Sequence, residues 1–279
     1  MSAGMQGRIG AVGFVRSLLR ILRGRPHIPP AVKDNRALSV ILNRRSVRRF
    51  LQKDISEDVF AAILEAGRLA PSAVNLQTWS FALFTIDSWK QTFGQPIPFR
   101  APRAAIILAD THRVRQAFEA FPHSPLVEHT VAVMNASLAA MNMTVAAEAL
   151  GLSSVMLSET GRSGLLDAGY LKETLELPEK VVPIMTIVFG YPRAGWSPMP
   201  PKLPLEAISF EGSYSESNPA LMTEWLSQMK AGYKASHPLS SLEAQLEDYA
   251  SKIGAAEADL QAMVFGEGKP SSTSSDEQI

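Results

Sequence analysis

Arg44-Arg45-Ser46-Val47-Arg48-Arg49-Phe50, followed one helix later by Ala70-Pro71-Ser72-Ala73-Val74-Asn75-Leu76-Gln77-Thr78-Trp79, decides how this chain is read. The first block packs four guanidinium groups and a hydroxyl into seven residues. Such planar donor forks match phosphate or carboxylate. The second block is a loop by composition, with Pro, Ser and Asn ahead of an apolar run. Between them Ser56 to Ala70 reads as a helix. Ser56 starts it, Asp58 sits in the first turn, and Val59, Phe60, Ile63, Leu64, Ala66 and Leu69 recur at helical spacing. Alone, an arginine cluster is most often a solvated face and a Pro-Ser-x-x-Asn loop most often a turn. Their order and spacing carry the information.

The rest of the composition narrows the classes. A chain of 279 residues has room for one large domain or two small ones. With 46% hydrophobic and 19% charged residues it can bury a sizeable core. Zero net charge argues against nucleic acid as a partner of the whole chain. The absence of cysteine excludes disulfides, zinc–cysteine sites, iron–sulfur clusters and a thiol nucleophile, and fits a reducing compartment, so a cytoplasmic location is expected. Five scattered histidines show no metal-ligand spacing, and no metal site is expected.

Along the chain, residues 1 to 33 hold Arg8, Arg16, Arg20, Arg23, Arg25 and Lys33 and no acid, with Phe14, Val15, Leu18, Leu19, Ile21 and Leu22 interleaved. The apolar run is too short to span a bilayer and lacks a cleavage site. It reads as a helix packed on a partner subunit or a mobile extension; contact with a membrane surface is the less favoured alternative. Pro26, Pro29 and Pro30 mark a linker, and a short helix covers Ala37 to Asn43. Trp79 to Ile86 reads as a buried strand ending at Asp87-Ser88, and Ala104 to Ala109 as a second, with Pro96, Pro98 and Pro102 making the segment between irregular. Phe118 and Phe121 lie in a proline-broken stretch; core is the commoner role for such aromatics, a pocket lining the alternative. Val127 to Leu150 is the longest helix, rich in Ala and Met and buried on most sides, stopped by Gly151. Then come a strand from Leu152 to Leu157, a turn at Ser158-Glu159-Thr160-Gly161, a helix from Gly164 to Leu175 and a strand from Val181 to Phe189. Two more helices are expected over Pro219–Tyr233 and Leu239–Val264, and a disordered Ser-rich tail follows. Gly266-Glu267-Gly268-Lys269 has the wrong spacing for a phosphate loop.

The two opening blocks resemble the nitroreductase-like flavoprotein family, whose Arg-Arg-Ser-x-Arg-x-Phe opening, helix and Pro-Ser-x-x-Asn-x-Gln-x-Trp loop are matched by Arg44, Arg45, Ser46, Arg48 and Phe50, then Pro71, Ser72, Asn75, Gln77 and Trp79. Gly151-Leu152-Ser153, Leu157-Ser158-Glu159, Leu177-Pro178, Gly190-Tyr191-Pro192 and Lys202-Leu203-Pro204-Leu205-Glu206 continue the likeness, which covers roughly residues 37 to 215. The resemblance implies an α+β fold, a central mixed or antiparallel sheet flanked by helices in an intertwined homodimer. It implies FMN at the interface: Arg44, Arg48 and Lys202 supplying charge to its phosphate, Arg45 and Ser46 further donors, and the backbone of Leu157, Ser158 and Glu159 approaching the ring. Pro71, Ser72, Ala73, Asn75 and Gln77 complete the set, their loop reaching the neighbour's flavin. The segment from Lys202 to Phe210 would add a strand to the partner's sheet. The implied activity is ping-pong, NADH or NADPH giving electrons to the flavin and a small-molecule acceptor such as a nitroaromatic or quinone taking them, with no catalytic side chain because the cofactor carries the chemistry. Phe118 and Phe121 are the candidates for substrate contact. Other flavin reactions on the same scaffold (dehalogenation, dehydrogenation, flavin breakdown) are alternatives, as is a flavin-binding or membrane-tethered partner protein without useful turnover. The expected organisation is a basic extension over 1–36, the flavin-binding domain over 37–215, a helical extension over 216–265 and a tail over 266–279.

Overall fold

A computed structural model describes residues 10–24, 26, 28–122, 124–158, 164–193 and 199–266. Glu159 and residues 267–279 of the expected tail lie outside them. The chain divides into two compact units, one of residues 1–45 and 194–251, the other of residues 46–193 and 252–279.

In the first unit, α1 (Ala11–Arg23) packs on α8 (Pro219–Ser236). Helix α2 (Arg36–Asn43) is started by Asn35, whose side chain accepts from the Leu38 amide at 3.0 Å. Asn218 starts α8 in the same way, accepting from the Ala220 amide at 2.9 Å.

The second unit is built on four antiparallel strands, β1 (Trp79–Thr85), β2 (Arg103–Asp110), β3 (Ser153–Leu157) and β4 (Val181–Gly190), in the order β1-β2-β4-β3. Every ladder is antiparallel; the one parallel contact among the described residues is an isolated bridge from Ser46 to Ser154. All eight residues of β2 are buried because both faces of the sheet are covered. Ala105, Ile107 and Ala109 point into a core shared with α3 (Glu57–Arg68) and α6 (Pro125–Ala149). Ala104, Ile106 and Leu108 point into a second core holding Trp89 of α4 (Ile86–Phe93) and Leu171 of α7 (Ala168–Thr174). That period of two explains why the run is continuously apolar. A short α5 (His112–Ala117) precedes α6, and α9 (Leu242–Phe265) belongs to the first unit up to Ser251 and to the second from Lys252.

Helix α6 is Ala-rich where it meets the sheet: Ala132, Ala136, Ala139, Ala140 and Ala147 are buried and let it lie close. It ends in a Schellman motif. Gly151 sits at φ 77°, its amide donates to the Glu148 carbonyl at 3.1 Å, and the Leu152 amide reaches back to Ala147 at 2.9 Å. By length and composition α6 could cross a membrane, but it is the core helix of this unit.

Three elements differ from the sequence reading. Ile86 to Phe93 is a helix rather than a break, because Thr85 and Ser88 form a reciprocal capping box at the end of β1. Leu165–Asp167 is a 3-10 turn, so α7 begins later than its periodicity suggests. Leu205–Ala207 is a 3-10 turn after Pro204, where a strand was expected.

Candidate functional site

The arginine block is drawn out along the sheet edge by backbone hydrogen bonds. The Val47 amide donates to Ser154 of β3 at 3.1 Å, the Arg193 amide to Arg49 at 2.9 Å, and the Leu51 amide to Tyr191 at 2.8 Å. Phe50 is 5% exposed and pins the end of the block into the core. It also explains the glycine of Gly190-Tyr191-Pro192: a Cβ there would come within 2.8 Å of the Phe50 ring and 2.9 Å of Pro102.

Arg44, Arg48 and Arg49 of this block form no ion pair with a carboxylate among the described residues. Several other arginines of the same unit are paired: Arg68 with Glu65, Arg103 with Asp54 and Glu57, Arg113 with Asp110, Arg115 with Glu119 and Glu128. Among the described residues Lys202 has no carboxylate partner either. Arg48 is exposed, its guanidinium 6.0 Å from the centre of the Phe99 ring. Arg45 Nη1 donates to the Leu42 and Arg44 carbonyls at 2.8 Å each and braces the end of α2.

Strand β3 presents its outer edge beside this block. The Ser154 carbonyl accepts from Val47, so the polar backbone groups of Ser154 face away from β4. Alternation then puts those of Met156 on the same outer side, while those of Leu157 face β4. The open edge expected at Leu157 is therefore offered by Met156. The Ser158 carbonyl accepts from the Leu166 amide at 3.1 Å.

The Pro71–Gln77 loop is strained and anchored. Val74, Asn75 and Gln77 have φ of 49°, 56° and 49°, in the left-handed region, where a β-branched valine is unusual. Val74 is 93% exposed. Asn135 of α6, 2% exposed, holds the loop: its Oδ1 accepts from the Ala73 amide at 3.1 Å, and its Nδ2 donates to Thr78 Oγ1 at 2.8 Å. The Gln77 amide donates to Ser72 Oγ at 3.0 Å. The sequence reading missed Asn135. Its one visible signal is an amide side chain inside the Ala-rich face of a helix.

The two blocks do not converge within one chain. The loop leads into β1, at one edge of the sheet, whereas Ser46 lies beside β3, at the other. Three strand spacings, about 14 Å, separate those edges. Phe118 is 55% exposed at the end of α5, and Phe121 is 8% exposed.

At the α5–α6 corner Glu128 is 2% exposed and takes Arg115 bidentately, both bonds 2.7 Å, with Thr111 Oγ1 at 2.5 Å. Burial pushes its carboxyl up, but the hydrogen bonds from Arg115 and Thr111 and the charges of Arg115 and Lys180 outweigh it, and the group is held below the ordinary carboxylate range. Burial pushes the neighbouring His129 imidazole down.

A four-stranded antiparallel sheet covered on both faces, with a central α6 and these two edge blocks, is an α+β fold shared with solved structures. Bacillus megaterium NfrA2 superposes with a TM-score of 0.70 at 23% identity, covering 84% of this chain and 98% of its own. The Vibrio harveyi NADPH:FMN oxidoreductase, determined with NAD+, gives 0.63 at 20% identity over 80% of this chain and 98% of its own. The FMN reductase (NADPH) of Bacillus subtilis is 29% identical over 192 residues, 65% of this chain and 75% of that one. The model of the nitroreductase family matches residues 41–88 and 85–191, and the chain belongs to that family.

Proposed function

We propose that this chain is an FMN-dependent NAD(P)H oxidoreductase that works as a homodimer and passes electrons to nitroaromatics, quinones or similar small acceptors. The observation that carries the reading is the cation block Ser46 to Arg49, without a carboxylate partner among the described residues and held extended beside the outer edge of β3. Family membership supports it, as do relatives named as FMN reductases. Cationic forks without carboxylate partners fit an anionic phosphate, and an edge strand with an outward amide fits the polar rim of a ring.

When bound, FMN supplies a reversible two-electron carrier between nicotinamide and acceptor. The chain supplies the rest. Arg48 meets the phosphate and Ser46 adds a hydroxyl donor; the resemblance adds Arg44 and Lys202 to that charge. Met156 and Ser158 offer edge amides that stabilise negative charge on the ring.

The separation of the two blocks supports the homodimer. One small ligand beside β3 is out of reach of the same chain's Pro71–Gln77 loop, so Ser72, Ala73 and Asn75 serve the neighbour's site. Helix α6 adds an exposed apolar stripe, Val127, Met134, Leu138 and Met141, and Leu69 and Val74 are exposed as well. Such a stripe suits burial against a second copy. A cytoplasmic location belongs to the same reading.

The test is a visible spectrum of the purified protein, chromatography of the heat-released chromophore, and NADH or NADPH oxidation with a quinone or nitroaromatic. The expected result is FMN near one per chain and acceptor-dependent turnover. Arg48→Ala should weaken FMN binding by roughly 10- to 100-fold, the worth of one or two charge-assisted hydrogen bonds. A protein that stays colourless after incubation with FMN overturns the reading.

A further inference from the structure

Helix α1 has two apolar faces, and α8 covers one of them. Ser17 and Ile21 are buried, and Ile21 Cδ1 lies 3.1 Å from where a Cβ on Gly232 of α8 would stand. Val12, Val15, Leu19 and Leu22 are 85%, 54%, 44% and 44% exposed. At about 100° per residue these four fall within an arc of roughly 80°, and Arg16, Arg20 and Arg23 fill the next 60° or so. The exposed residues Val12, Val15, Arg16, Leu19, Arg20 and Arg23 line one shallow groove. Arg20 pairs with Glu224 of α8. Among the described residues Arg16 and Arg23 have no acidic partner, and residues 1–33 contain no acid.

We propose that α1 docks the protein on an anionic lipid surface. Val12, Val15, Leu19 and Leu22 enter the boundary between headgroups and acyl chains, and Arg16 and Arg23 meet lipid phosphates. Thirteen residues make a helix about 20 Å long, too short to span the hydrocarbon, so it lies in the plane of the interface. Charge selects lipid over a second copy as the occupant. Pairing α1 with the α1 of another chain sets the arginines of both helices side by side, with no acid in either N-terminal segment to neutralise them. An anionic bilayer supplies that counter-charge and accepts the apolar face together. The inference stands apart from the flavin reading: vesicle binding is measured without cofactor or turnover.

The experiment sediments the full chain with vesicles of phosphatidylcholine alone or mixed with phosphatidylserine. Binding to the mixed vesicles at low salt and release at about 0.5 M salt is the expected result. Arg16→Gln with Arg23→Gln should weaken the partition roughly 25-fold, about fivefold per charge. Leu19→Gln should weaken it as well, with circular dichroism showing the helices intact. Arg68→Gln, an exposed cation in the other unit, should leave it unchanged. Two results overturn the proposal: no sedimentation of the wild-type chain at low salt, or binding indifferent to Arg16, Arg23 and Leu19. If the wild type ignores vesicles and Leu19→Gln lowers its mass in light scattering, the face is a contact between chains and the lipid proposal is wrong.

Discussion

Replacing Asn135 by alanine probes the link between the core and the strained loop. Asn135 makes two hydrogen bonds, to the Ala73 amide and to Thr78 Oγ1, and Thr78 is fully buried. Losing two bonds costs about 1–3 kcal/mol, and leaving the Thr78 hydroxyl orphaned adds about 1 kcal/mol, so Asn135→Ala should destabilise the protein by about 2–4 kcal/mol. The loop should suffer beyond the global loss. Val74, Asn75 and Gln77 stay in left-handed backbone because the surroundings hold them there. Exchange of the Ala73 amide should therefore accelerate more than that of core amides in β2. Adding Thr78→Val removes the orphan and should restore about 1 kcal/mol, a coupling that a double-mutant cycle isolates. Denaturant unfolding and amide exchange read both effects. An Asn135→Ala protein within about 0.5 kcal/mol of wild type, with Ala73 exchange unchanged, would refute the claim that this side chain holds the loop.

Two other substitutions test the frame. Glu128→Gln should cost about 2–3 kcal/mol; breaking a buried pair usually costs more, but Arg115 is 29% exposed and keeps Glu119. Because the folded Glu128 carboxyl titrates below its unfolded value, its contribution is complete above the ordinary carboxylate range and is lost as the pH falls through the folded value; urea titrations between about pH 3 and 6 should show a flatter acid limb in Glu128→Gln. Gly190→Ala should destabilise by about 1–3 kcal/mol, since its Cβ meets the Phe50 ring and Pro102 rather than a flexible chain end, and thermal melts of the variant beside Gly254→Ala, a helical position where nothing lies within 4 Å and no loss is expected, check that the cost is steric crowding.

Much of this protein is legible in its residues. The blocks around Ser46 and Asn75 identify the family, because anion-binding forks and a Pro-Ser-x-x-Asn loop at that separation form a two-part pattern. Helices α3, α6, α8 and α9 and all four strands follow from apolar periodicity, since burial of one face or two imposes a repeat. Helix α4 escaped because its signal, Thr85 and Ser88 capping each other, is local hydrogen-bond geometry, and the same residue types also end strands. The role of Asn135 escaped for the opposite reason: its partners lie 62 and 57 residues away, and only packing α6 on the sheet brings them within reach. Tertiary structure also decided where the two blocks stand. They are neighbours in the chain, but the strand order β1-β2-β4-β3 carries them to opposite edges. Residue types and spacing select the chemistry through local propensity and charge, while hydrogen-bonded strand pairing, a long-range interaction, decides whether two motifs meet in one chain or need two.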